Sequence, residues 1–169
     1  MQAFAQEGEP LIVSTPLQDF TRLMEETHAP QPDATVQWEA RGELKPQAGG
    51  DDSVWLHLRA STTVPLTCQR CMAAVETPIE VDQAYRFVAT EDIAMAEDDE
   101  SEEDLLVMEP QFDLMAVLED ELLMALPLVP MHEVCPVAPV LSAGDLPAEE
   151  IPSEKPNPFA VLSQLKIKK

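Results

Sequence analysis

Lysine and arginine are scarce: the 169 residues hold 10 of them, and none lies between Arg86 and Lys155. Proteins attract nucleic acid mainly through cations that neutralise phosphates, so little direct binding of RNA or DNA is expected of this chain. Glycine is scarce as well, with five in all, and no Gly-x-x-x-x-Gly-Lys phosphate cradle occurs. His132-Glu133 has no second histidine four positions on, which removes the helical zinc-protease motif. No stretch approaches the roughly 18 consecutive apolar residues that would span a bilayer. The opening MQAFAQEGEP carries no positive charge, so a secretory signal is not expected and the reading is cytoplasmic. Three cysteines are too few, and odd in number, for a disulfide framework. They point to reduced thiols or metal ligation.

What the chain has in excess is acid. The formal net charge is −22, and the 68 residues between Arg86 and Lys155 hold 19 Asp and Glu, while the rest of the chain is nearly balanced. Such a half steers basic partners toward itself, and ribosomal proteins are a basic class. It also keeps a chain soluble, a reading of equal standing at this point. Paired carboxylates are abundant, but they lie in a solvated acidic run where nothing would separate their pKa values. No catalytic residues are assigned.

The length suits one domain with an appended segment. Leu11 to Ser14 reads as a short strand. Thr15-Pro16-Leu17-Gln18 then reads as a helix start, with Thr15 as N-cap, Pro16 first in the helix and Gln18 as the reciprocal partner. Leu17, Phe20, Leu23 and Met24 carry that helix to about Glu26. From Thr35 the period changes to two: Val36, Trp38, Ala40 and Leu44 alternate with polar residues, and after the turn at residues 48–52 so do Val54, Leu56, Leu58 and Ala60. Val64 and Leu66, then Val75, Ile79, Val81, Tyr85 and Phe87, extend the strand material to four to six strands. The expected fold is α+β: an antiparallel sheet, a meander or partly closed barrel, packed by two to three helices.

Residues 1–135 form the expected domain. It contains an acidic loop at 91–104, where Glu97 to Asp104 hold seven acids in eight positions and self-repulsion favours solvation. Phe112 to Leu126 reads as the strongest helix, capped by Asp113, with Glu119, Asp120 and Glu121 on its polar side. Eight prolines between Pro127 and Pro158 make residues 136–155 an extended linker. Residues 156–169 resume helical patterning, with Asn157 as N-cap, Pro158 first in the helix, Phe159, Leu162 and Leu165 on one side and lysines at the end. Too short to be stable alone, this segment is expected to dock, and these five residues are its candidate contacts.

One constellation carries chemistry. Cys68-x-x-Cys71 and His132-x-x-Cys135 together supply three thiolates and an imidazole, the donors of a tetrahedral zinc site. Zinc would tie the strand corner to the segment after the long helix. Against it, Cys71 and Cys135 also read as ordinary buried thiols and His132 as a surface residue.

Three motifs occur in order: Leu66-Thr67-Cys68-Gln69-Arg70-Cys71; Glu119-Asp120-Glu121-Leu122-Leu123-Met124-Ala125-Leu126-Pro127 ending in Pro130-Met131-His132; and Lys155-Pro156-Asn157-Pro158-Phe159-Ala160-Val161-Leu162. In this order they resemble the YceD family of large ribosomal RNA subunit accumulation proteins, from about Leu11 to the C-terminus. The resemblance implies a non-enzymatic factor for large ribosomal subunit biogenesis. Its expected partners are a basic ribosomal or assembly protein and the large-subunit precursor particle, with Arg70 as a further candidate contact. A zinc- or cysteine-dependent enzyme, and an acidic mimic of nucleic acid, remain as alternatives.

Overall fold

The computed structural model describes residues 1–138 except 30–31, 48–49 and 51. Residues 139–155 of the expected linker 136–155, and the segment 156–169 with Asn157, Pro158, Phe159, Leu162 and Leu165, lie outside the described residues. The elements in order are α1 (Gln2–Glu7), β1 (Leu11–Pro16), a 3₁₀ turn (Leu17–Asp19), α2 (Thr21–Glu26), β2 (Thr35–Lys45), β3 (Ser53–Thr67) and β4 (Ala74–Val88). Then come α3 (Glu91–Glu97), a second 3₁₀ turn (Asp98–Glu100), β5 (Asp104–Val107) and α4 (Leu114–Met124). The class is α+β, as expected, with four α-helices among the described residues, where two to three were expected in all.

The period-two pattern sets the sheet. β1 to β4 form an antiparallel meander in chain order, and β3 and β4 pair from Val54–Phe87 down to Thr67–Ala74, so the pieces read as separate strands are two long ones. One face carries Val36, Trp38, Ala40, Leu56, Leu58, Val64, Ile79 and Tyr85, all buried. Leu17, Phe20, Leu23, Leu118 and Leu122, buried under 2% exposure, close the core from the helical side. α1 crosses β2 at Gly42, where a Cβ would stand 2.6 Å from the Ala5 Cα; only glycine permits that approach. The sheet remains open, with β1 and β5 as its edges, which excludes the barrel form.

Three local expectations are corrected. Thr15 does not cap a helix: β1 continues through Pro16, and the Thr15 hydroxyl accepts the Trp38 indole N–H at 2.8 Å, so a cross-strand bond prevails over the capping pattern. α2 therefore starts at Thr21, and its cap comes from elsewhere. The Glu119 carboxylate on α4 accepts the backbone N–H groups of Arg22 at 2.7 Å and Leu23 at 3.2 Å, and its other oxygen accepts Arg22 Nε at 2.9 Å. Glu119 thus faces α2 and is largely covered, although the helical pattern put it on the solvent side.

Second, β5 runs parallel to β4. Third, and linked to it, the acidic stretch 91–104 is structured: α3, capped by the Thr90 hydroxyl on the Ile93 amide, and the second 3₁₀ turn form the crossover that a parallel connection needs. Self-repulsion is offset by Arg86, which donates to Glu103 at 2.5 Å, Glu97 at 2.8 Å and the Ser101 hydroxyl at 2.9 Å. α4 (Leu114–Met124) forms within the expected stretch 112–126, with Asp113 accepting the Ala116 amide at 3.0 Å as its cap.

Two outcomes follow from these ion pairs. Glu119→Ala should destabilise the chain by about 1–2 kcal/mol, the range for a lost cap with hydrogen bonds to charge, and lower the Tm by several degrees; an unchanged thermal melt would contradict the capping role. The Arg86 guanidinium holds the Glu103 carboxyl below the usual carboxylate range. A depressed folded pKa contributes stability that is present above the unfolded value of about 4.3 and is lost as pH falls through the folded one. Urea melts across acidic pH should therefore find Arg86→Gln less stable than the parent at neutral pH, with the gap narrowing below about pH 4. A gap that stays constant would show that the pair is not what orders the crossover.

Candidate metal centre

The β3–β4 hairpin ends in a tight corner. Cys68 follows the last β3 residue, its amide donates to the Ala73 carbonyl at 2.9 Å, and the Met72 amide returns to the Cys68 carbonyl at 2.9 Å. Met72 takes a left-handed φ of 61° as the chain turns into β4. This geometry presents Cys68 inward, fully buried, and leaves Cys71 half-buried beside it.

The segment after α4 comes to meet this corner. Pro127 and Pro130 end the helix, and residues 125–138 form no strand with which to pair. They are held by individual bonds instead. The Gln69 amide donates to the Pro130 carbonyl at 2.9 Å, and the Arg70 guanidinium donates to the carbonyls of His132 and, at 3.2 Å, Glu133. Arg70, a candidate partner contact from the sequence, thus has an intramolecular role.

These bonds place His132 and Cys135 opposite the corner. The Sγ atoms of Cys68, Cys71 and Cys135 and a ring nitrogen of His132 all lie within 4.8 Å of one another. Cys71 Sγ is 3.5 Å from His132 Nδ1. A tetrahedral zinc with bonds of about 2.3 Å to sulfur sets neighbouring sulfurs about 3.8 Å apart, so the donors need only a small contraction. The donor set is soft and borderline, closed at four, and leaves no position for a substrate. It fits a structural ion better than a catalytic one.

The electrostatics of the thiols are unequal. Burial pushes the Cys68 thiol up, but backbone N–H groups of Cys71, His132 and Arg70, with the His132 side chain, together outweigh it and bring the pKa down to about 5. Burial, then the neighbouring Cys71 and Cys68, push Cys135 up. One ready thiolate, Cys68, beside one reluctant thiol, Cys135, is an arrangement that an arriving cation stabilises.

All four donors read from the sequence are brought together. Its reasoning missed Arg22, Glu119 and Arg86, whose roles depend on pairings between elements distant in the chain. No helix among the described residues is long and apolar enough to cross a membrane.

Comparison with known proteins adds a family. A family model described as "Large ribosomal RNA subunit accumulation protein YceD" matches residues 56–166, a span that includes the four donors. A protein of Haemophilus influenzae (strain ATCC 51907 / DSM 11121 / KW20 / Rd) with the same description is 41% identical over 114 residues, 62% of this chain. The match spans 61% of that relative's own length. No solved structure matches the chain.

In metal-free protein, thiolate absorbance should titrate in separated steps, one near pH 5 from Cys68 and one above the ordinary thiol range from Cys135. Three thiols titrating together at about 8.5, the free value, would contradict the geometry.

Proposed function

The chain belongs to the YceD family of large ribosomal RNA subunit accumulation proteins, and from that premise we propose that it is a non-enzymatic, cytoplasmic factor for large-subunit biogenesis. The observation that carries the role is the family match over residues 56–166. Charge supports the mode of action. A chain of net charge −22 is repelled by bare RNA and attracted by basic protein. Its direct partner is a basic ribosomal or assembly protein on the large-subunit precursor, and the accumulation of large-subunit rRNA follows from that association. The segment 156–169, with Asn157, Pro158, Phe159, Leu162 and Leu165, is a further docking element.

The metal is zinc, held by Cys68, Cys71, His132 and Cys135, and its work is cross-linking. Zinc suits the donor set and has no redox chemistry of its own to perform here. It joins the β3–β4 corner to a segment that has few other bonds.

The ordered acid of α3 and Asp98–Glu100 favours one second reading, a protein that occupies an RNA-binding surface by imitating phosphate. The two are separable. An imitator should be displaced from its partner by excess RNA, whereas an assembly factor that rides on the particle should stay with it.

Two measurements test this. Affinity purification of the full chain from growing cells should recover large-subunit precursor rRNA and basic ribosomal proteins together; recovery of neither would end the assembly reading. Elemental analysis of protein purified without chelator should find about one zinc per chain, and cobalt substitution should give thiolate-to-metal charge transfer that Cys68→Ser together with Cys71→Ser abolishes. Metal-free protein with three freely alkylated thiols would remove the zinc.

A further inference from the structure

The segment that the metal cluster holds in place is also the most apolar exposed part of the described chain. Leu128 is 100% exposed, and Val129 and Met131 are each more than half exposed; Met124, the last residue of α4, adjoins them at 79%. A run of large apolar side chains facing water in this way marks an interaction surface more often than chance. Leu128, with Leu126, Pro127 and Pro130, forms one wall of a groove of about 370 Å³. The floor is Leu66 and Thr67 at the end of β3, and Leu126 and Leu128 stand on one side. On the other side, at the end of α2, are Glu25 and Glu26, the only charged residues that line it. Both are exposed, and neither is ion-paired among the described residues.

We infer that this groove between the end of α2 and residues 126–130 is the docking site for a segment of a basic partner protein in which Lys or Arg stands beside an apolar residue. The inference rests on the functional reading above and gives it a place. Two carboxylates without an ion pair among the described residues, set opposite the apolar side chains of Leu126 and Leu128, select against acidic segments. The occupant is therefore a cation with an apolar neighbour: the charge meets Glu25 and Glu26, and the apolar side chain covers Leu126 and Leu128. RNA fits poorly, since the groove offers its phosphates no cation.

The groove depends on the metal cluster. Its wall at residues 126–130 has no strand partner: Leu126 is set by the end of α4, its amide on the Leu123 carbonyl, and the residues beyond it are held through Gln69 to Pro130, Arg70 to His132 and Glu133, and the four donors. Releasing the donors loosens the wall beyond Leu126 and weakens the docking site.

A photo-cross-linking amino acid placed at Leu128 in the full chain tests this, since that side chain lines the groove and is fully exposed. The protein is recovered from large-subunit precursor fractions after irradiation and the adduct identified. The expected adduct is a Lys- or Arg-rich segment of a basic protein of the particle. It should fall roughly tenfold in Glu25→Lys/Glu26→Lys, about one interaction's worth of free energy, and also in Cys68→Ser/Cys71→Ser. An adduct with rRNA, with a second copy or with residues 139–169 of the same chain would overturn the inference. So would an adduct unaffected by the charge reversal, or none at all in a chain that still cofractionates. Failure of the unsubstituted chain to enter precursor fractions would overturn the functional reading, and the inference with it.

Discussion

The chain from residue 125 to 138 has to be held against the β3–β4 corner without a strand ladder, and the functional side of the molecule depends on how that is done. Helices and sheets satisfy their backbone groups in series, so one more residue adds one more bond. This proline-containing segment has no series to join. It is fixed by one backbone bond, from Gln69 to Pro130, by the Arg70 guanidinium on two carbonyls, and by four donor side chains that converge within 4.8 Å. Each link is local, and the donors add four bonds at once when a cation joins them. Without that junction the same residues would be an apolar tail on a finished domain.

A second constraint runs through the rest of the fold. Six of the ten Lys and Arg residues lie among the described residues, against a large excess of acid. Three of these cations tie together elements that are far apart in sequence. Arg22 links α2 to Glu119 and Asp120 on α4; Arg70 links the corner to the segment after α4; Arg86 links β4 to α3 and to Glu103 before β5. Two others sit on the outer sheet face, where Arg59 pairs with Asp82 and the Lys45 ammonium lies 3.4 Å from the centre of the Trp55 ring. A chain poor in cations uses them as staples, and their scarcity raises the consequence of losing any one. The acid that remains unpaired, Glu25 and Glu26 among it, is what a basic partner meets.

The parts of the fold written in short-range pattern were legible in the sequence. Val36, Trp38, Ala40 and the run from Val54 to Ala60 declare strands by alternation, and Asp113 and the apolar stripe of Leu118 and Leu122 declare α4. The donor set was legible as well, because cysteine and histidine at two-residue spacing have few other reasons to occur together. What failed was whatever depends on a distant partner. Thr15 matches a capping pattern but is taken by Trp38 across the sheet. The run from Glu97 to Asp104 looks like a solvated loop until Arg86 is placed between its carboxylates. β5 is too short to announce its direction, which is fixed by the crossover through α3. Glu119 reads as a surface acid and is a cap in trans. The groove could not be read, because the carboxylates that give it a preference come from another helix than its apolar wall.

Hydrogen exchange resolved to single amides tests the central claim most directly, by comparing the full chain with and without a strong chelator. The Gln69 amide, bonded to the Pro130 carbonyl, should lose protection when the metal is removed, while amides inside the β2–β3 ladder at Trp38 and Leu58 keep theirs. Equal loss of protection throughout would mean that the donors hold the whole domain rather than this one junction. Unchanged protection at Gln69 would mean that they do not hold the junction at all.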